Sequence, residues 1–111
     1  MKFLNEDKVV KKFGYWPQFC DAKLLKLNFD FISMDVEMII HYIDSDKDIQ
    51  SNIKLYFSQV TDYGLRDIME DNVLDELSIK QIDTGSIEVN LNSCYGLNGT
   101  FLCKSAEVLD N

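Results

Sequence analysis

The residues best suited to acid–base chemistry occur as two adjacent acidic pairs, Glu70-Asp71 and Asp75-Glu76. Glycosidase-type hydrolysis needs two carboxylates that face each other across a substrate, one of them with a pKa raised by burial. Neighbouring side chains on a polar segment do not have that geometry. We therefore interpret both pairs as parts of a solvated acidic loop and predict no catalytic residue there.

A second acidic segment, Asp44-Ser45-Asp46-Lys47-Asp48, begins like the calcium-binding loop of an EF-hand. The resemblance ends at the sixth position, which is Ile49 rather than Gly, and at the twelfth, which is Leu55 rather than Glu. Predicted strands, not helices, flank the segment. The pattern therefore predicts a hairpin turn with weak surface affinity for calcium at most, and no metal site.

The chain has one histidine and three cysteines, too few for most metal or nucleophilic sites. A Cys-His-Asp arrangement would need Cys20, Asp21 and His41 to converge. Cys20 lies in a strongly apolar run, so we interpret it as a buried, inert thiol. Cys20, Cys94 and Cys103 form no CxxC motif and are odd in number, so all three are expected to be free in a reducing cytoplasm. We predict a non-enzymatic protein without a metal or a cofactor.

Charge is the strongest compositional signal. Nineteen acids against eleven bases give a net charge of −8 over 111 residues, and the acids are concentrated after residue 26. Such a field repels nucleic acid and anionic membranes and attracts basic partners, although solubility alone is an alternative explanation. With no long apolar run and no apolar leader, the chain is expected to be one cytoplasmic domain, 1–111, that does not enter a membrane.

The elements that would position these residues follow from hydrophobic periodicity. Residues 5–13 have a helical pattern, and period-two alternation predicts strands around residues 25–31, 36–43, 53–57, 77–80, 87–91 and 101–104. Residues 62–76 are open to two interpretations, a strand near 64–68 or a helical turn near 67–74. The predicted fold is α+β, with a short N-terminal helix and a six- or seven-stranded, mostly antiparallel, curved sheet in meander order.

The only Trp and the only Pro of the chain lie between the helix and the first strand, in the sequence Phe13-Gly14-Tyr15-Trp16-Pro17-Gln18-Phe19-Cys20-Asp21-Ala22. Gly14 and Pro17 interrupt a helix, and large aromatic side chains dominate burial. The segment therefore predicts that Trp16 plugs the corner where the helix meets the sheet.

This segment resembles the N-terminal signature of the immunity protein 50 family, which runs roughly Trp-Pro-Ser-Phe-His-Asp-Ala-Glu. Gln18, Cys20 and Lys23 replace Ser, His and Glu of that signature. The later runs around Leu55–Val60 and Gly99–Cys103 are also similar, so the resemblance covers nearly the whole chain. The matching positions are Trp16, Pro17, Phe19, Asp21 and Ala22, and we take the first four as a structural motif.

The resemblance implies a non-enzymatic immunity protein that binds and neutralises a cognate polymorphic toxin in the bacterium that produces it. An acidic inhibitor would be steered onto a basic toxin domain. No contact residue transfers from the signature. On charge alone, the candidate partner-binding residues are Asp44, Asp46, Asp48, Asp62, Asp67, Glu70 and Asp71.

Two other interpretations stay open. The chain could be a small-molecule-binding or minor enzymatic domain, with a pocket between helix and sheet near Trp16, His41 and Tyr42. Alternatively, it could pair through an exposed sheet edge as part of an assembly, which leaves monomer and weak homodimer both open.

Overall fold

In the computed structural model, which describes residues 4–109, one helix is followed by eight strands. The first three and last two residues of the predicted domain 1–111 lie outside this range. The prediction of an α+β fold with one short helix and an antiparallel sheet is confirmed. The elements are α1 (Asp7–Phe13), β1 (Lys23–Asp30), β2 (Asp35–Asp44), β3 (Ile49–Ser58), β4 (Thr61–Arg66), β5 (Val73–Gln81), β6 (Ile87–Tyr95), β7 (Asn98–Cys103) and β8 (Ser105–Leu109).

The predicted six or seven strands are corrected to eight. Residues 61–66 form strand β4, which settles the open interpretation of residues 62–76 in favour of a strand that ends before residue 67. The last run divides into β7 and β8, which only Lys104 separates. Alternation continues across so short a break, so periodicity alone does not show where one strand changes its partner.

The strand order is β4-β7-β6-β5-β1-β2-β3-β8, and every neighbouring pair is antiparallel. Meander order holds for β1–β3 and for β5–β7, but it is wrong for β4 and β8. β3 leads almost directly into β4, and β7 leads almost directly into β8. The β3–β4 segment therefore pairs with the β7–β8 segment along its length, β3 with β8 and β4 with β7. The Lys104 N–H donates to the Ser58 carbonyl at the bend, at 3.0 Å.

The two halves of the sheet enclose the core between them. Phe57 of β3 and Phe101 of β7 meet edge to face, with ring centroids 5.3 Å apart. At the opposite junction β1 pairs with β5 only through Lys23 and Val73. A β-bulge between Leu24 and Lys26 shifts the side-chain alternation of β1 by one residue.

The alternation in the sequence predicts Leu25, Leu27, Phe29 and Phe31 on the buried face of the first strand, and the bulge corrects this prediction. Leu24, which the alternation did not assign to the core, is buried, whereas Leu25 is 48% exposed. Phe31, predicted on the same buried face, lies in the β1–β2 turn and is 71% exposed.

The signature segment connects α1 to the sheet. The helix buries Val9 and Phe13 and ends at Gly14, whose left-handed backbone (φ 86°) lets its N–H donate to the Val10 carbonyl at 2.7 Å. Phe19 is fully buried, and its ring meets Trp16 and Tyr42 edge to face at centroid distances of 5.6 and 5.5 Å.

The predicted packing of Trp16 against the core is observed, but Trp16 is not the side chain that fills the corner. Phe19 and the buried Pro17 fill the corner, while Trp16 packs against Phe19 and stays partly exposed. Asp21 lies in the left-handed turn before β1 (φ 64°), and its N–H donates to the Leu74 carbonyl at 2.7 Å.

Candidate functional site

The acids predicted to bind a partner fall into two groups. Asp44 is the last residue of β2, and Asp46 and Asp48 lie in the β2–β3 turn that follows it. Asp62 lies at the start of β4, beside the opposite end of β2, because the Val60 N–H donates to the Met34 carbonyl at 2.7 Å. A ten-residue strand such as β2 spans about 30 Å, so Asp62 is far from Asp44. Asp71 is nearer to it, because its partner Lys23 pairs with His41 of β2.

Asp44 is buried and serves the fold. Its carboxylate accepts hydrogen bonds from the Tyr15 hydroxyl at 2.8 Å and from the N–H groups of Asp46 and Lys47 at 3.1 and 3.2 Å. The Lys47 ammonium in turn donates to the Phe13 carbonyl at 2.7 Å. The hydrogen bond to Tyr42 raises the pKa of Tyr15 most, and the hydrogen bond to Asp44 raises it further. Asp44 therefore joins α1 to the β2–β3 turn, which presents Asp46 and Asp48 to solvent.

Three acids of the second group, Asp67, Glu70 and Asp71, lie on the loop between β4 and β5. The conformation of this loop depends on Asn72, whose side-chain oxygen Oδ1 accepts hydrogen bonds from the N–H groups of Met69 at 3.1 Å and Leu97 at 2.8 Å. Two of the acids have cationic partners: Asp67 lies 3.6 Å from Arg66, and Asp71 lies 3.5 Å from Lys23. All four acids of this group, Asp62, Asp67, Glu70 and Asp71, are exposed.

A cleft of about 550 Å³ lies between α1 and the sheet, as the small-molecule interpretation predicted. It is lined by His41, whereas Trp16 and Tyr42, which that interpretation also placed there, are not in its lining. Lys8, Lys12, Ser51 and Asn52 supply its other polar side chains.

The histidine of the cleft is held by two amides. Nδ1 lies 2.6 Å from Asn52 Oδ1, and Nε2 lies 3.0 Å from Gln50 Oε1. The Ser51 hydroxyl accepts from Lys12 Nζ at 3.0 Å and donates to the Asn52 carbonyl at 3.2 Å. Because both ring nitrogens and the hydroxyl are engaged elsewhere, the arrangement is not that of a serine activated by a histidine base.

All three cysteines are free thiols, as predicted, but Cys20 is exposed rather than buried. Its sulfur lies 3.9 Å from Asp75 Oδ1, and nearby negative charge, chiefly that of Asp21, raises its pKa. A raised pKa leaves little thiolate at neutral pH, so the inert behaviour expected of Cys20 has an electrostatic cause. Within residues 4–109, no cluster of three or more His, Cys, Asp or Glu side chains is suited to hold a metal ion.

The family profile described as immunity protein 50 matches residues 5–110. The chain belongs to this family. No curated protein and no solved structure matches it significantly. The resemblance to the family signature is thereby confirmed. The fourth and fifth positions of the signature differ in solvent exposure in this chain, because Phe19 is fully buried and Cys20 is exposed. In the described part of the chain, no helix has the length and apolar character needed to cross a membrane.

Proposed function

We propose that this member of the family is an immunity protein that binds and neutralises a cognate polymorphic toxin in the cytoplasm of the bacterium that produces both. The observation that carries the proposal is the family match over residues 5–110. Neutralisation occurs by binding and occlusion, without a reaction catalysed by the immunity protein itself.

Charge supports a basic toxin domain as the partner. The net charge is −8, and the exposed acids provide a negative surface that would accelerate encounter with a cationic protein. We assign Asp46, Asp48, Asp62, Asp67, Glu70 and Asp71 as candidates for this electrostatic role. Asp44 contributes indirectly, because it fixes the turn that carries Asp46 and Asp48.

The test is co-expression with the toxin domain encoded beside this gene. Growth should be restored by the cognate pair, and the purified proteins should form a complex. The same chain paired with a toxin domain of unrelated sequence provides the control. If cells die although the chain accumulates folded and soluble, the proposal is refuted.

A small-molecule-binding function is the second candidate. The volume of the helix–sheet cleft and the two lysines in its lining, Lys8 and Lys12, favour it. His41→Ala combined with Lys12→Ala would remove polar side chains that line the cleft. Under the immunity proposal this variant should protect cells as well as the parent chain does. Loss of protection by a variant with unchanged stability would favour function in the cleft.

A further inference from the structure

Exposed apolar side chains gather around β1. Leu25 on the strand is 48% exposed, Ile68 and Met69 on the β4–β5 loop are 69% and 47% exposed, and Phe31 and Ile32 in the β1–β2 turn are 71% and 98% exposed. We call these five residues the β1 surface. Large contiguous apolar patches are uncommon on the surfaces of soluble domains, and where they occur they mark interaction sites.

The topology keeps this surface open. One side of β1 pairs with β2 along the strand, whereas the other meets β5 only at Lys23. From Leu25 to Asp30 that second side has no strand neighbour in the described chain. A groove of about 210 Å³ lies there, lined by Leu25, Leu27, Phe29, Ile68 and Leu97 among others.

The groove continues into the β1–β2 turn through stacked rings. Phe29 and Phe31 lie nearly parallel, with centroids 6.1 Å apart, and Tyr63 of β4 meets them at 5.1 and 6.3 Å. The Tyr63 hydroxyl is buried and has no hydrogen-bond partner among the described residues. An unsatisfied buried hydroxyl costs stability, and the Tyr63 ring that carries it packs edge to face against the exposed Phe31.

Acids surround the turn. Asp30 and Asp35 face each other across the hairpin, where like charges are destabilising, and neither forms an ion pair within residues 4–109. The N–H groups of Ser33 and Ile32 lower the pKa of Asp30. The Tyr56 hydroxyl donates to Asp35, which raises the pKa of Tyr56 to about 12. The Asp30 carboxylate is therefore held as an anion next to Phe31.

We propose that the β1 surface is where the toxin docks, with Phe31 and Ile32 as central anchors and Asp30, Asp35 and Glu70 as the acidic rim. This inference rests on the proposed function. The surface fits a polypeptide that presents an apolar patch flanked by lysines or arginines. Interfaces commonly combine an apolar centre with a polar rim in this way.

A second copy of this chain fits the surface less well. A twofold dimer places the same patch of each subunit against its counterpart. The acids Asp30 and Asp35 of both subunits would then lie in one interface, and their mutual repulsion opposes association. A cationic partner gains from the same charges.

The first experiment compares affinities for a catalytically inactive form of the adjacent toxin domain. Phe31→Asn with Ile32→Asn should weaken binding about 100-fold, mainly through faster dissociation, as loss of central anchors does. Ile43→Ser removes a side chain that is 56% exposed on β2 and serves as the matched control. It should bind like the parent.

The second experiment separates the rim from the anchors. Asp30→Asn with Glu70→Gln should slow association several-fold and reduce its salt dependence. Asp83→Asn, which changes an exposed acid in the β5–β6 turn outside the candidate set, should change neither. Asparagine at position 30 retains an oxygen that can accept the turn N–H groups. Thermal melting and circular dichroism establish that each variant is folded.

The outcomes are separable. If the parent chain neither binds nor protects, the proposed function fails and this inference fails with it. If the parent binds and the Phe31/Ile32 variant binds equally well, only the docking surface is refuted. A parent homodimer in sedimentation, abolished by the same variant while toxin binding persists, would assign the surface to a second copy instead.

Discussion

Replacement of Asp44 by Ala should destabilise the fold, although a charge-based analysis of the sequence treats Asp44 as one surface acid among many. The carboxylate accepts three hydrogen bonds, one from the partly buried Tyr15 hydroxyl and two from turn N–H groups. Hydrogen bonds to a charged acceptor contribute about 1.5–3 kcal/mol and neutral ones about 1 kcal/mol. Because the turn N–H groups can bond to water instead, we expect a total loss of about 2–4 kcal/mol.

The assay is equilibrium unfolding in urea, followed by the fluorescence of the single tryptophan, Trp16. With a denaturant dependence of about 2 kcal/mol per molar, the midpoint should fall by about 1–2 M. Asp46→Ala, two residues away on the same turn and exposed, is the matched control and should change stability by less than about 0.5 kcal/mol.

A double-mutant cycle identifies the partner. Tyr15→Phe removes the hydroxyl that joins Asp44 to Tyr42. If this contact carries the effect, the loss in the double variant should be smaller than the sum of the single losses. Equal midpoints for Asp44→Ala and Asp46→Ala would refute the structural role. Loss of toxin binding by Asp44→Ala at full stability would place it on the interface instead.

Three further predictions follow from packing. Phe19→Ala should lower the free energy of unfolding by about 3–5 kcal/mol, as large-to-small changes in a core do. The loss should exceed that of Trp16→Ala, because Trp16 stays partly exposed to water. Unfolding monitored by circular dichroism compares the two variants, and the reverse order would show that Trp16 fills the corner. Thiol titration should count three groups in denaturant. In the native protein the exposed Cys94 should react first, Cys20 more slowly because its pKa is raised, and Cys103 last because burial hides it and raises its pKa to about 11; a denatured count of one would reveal a disulfide. Gly99→Ala should lower the free energy of unfolding by about 1–3 kcal/mol or more, because the backbone of Gly99 is at φ 134° and an added Cβ would overlap the Gly64 carbonyl. Gly64→Ala should destabilise the protein less, because its Cβ would lie 3.7 Å from the Thr100 carbonyl oxygen. Equal unfolding midpoints for the two variants would contradict this prediction.

The sequence alone determined the local elements and the family. A helical period before Gly14 and a period of two after Asp21 reflect backbone geometry, so they specified one short helix and an antiparallel sheet. The run from Trp16 to Ala22 was specific enough to indicate immunity protein 50, which the match over residues 5–110 confirmed.

Only the tertiary structure decided which side chains are wet. The bulge after Leu24 adds one residue to β1, which buries Leu24 and exposes Leu25. Burial of Asp44 depends on Tyr15, a residue 29 positions away. The open side of β1 depends on β5 turning away after one residue pair. Periodicity reports which residues share a face, but the strand or helix that covers that face is fixed by contacts between distant parts of the chain.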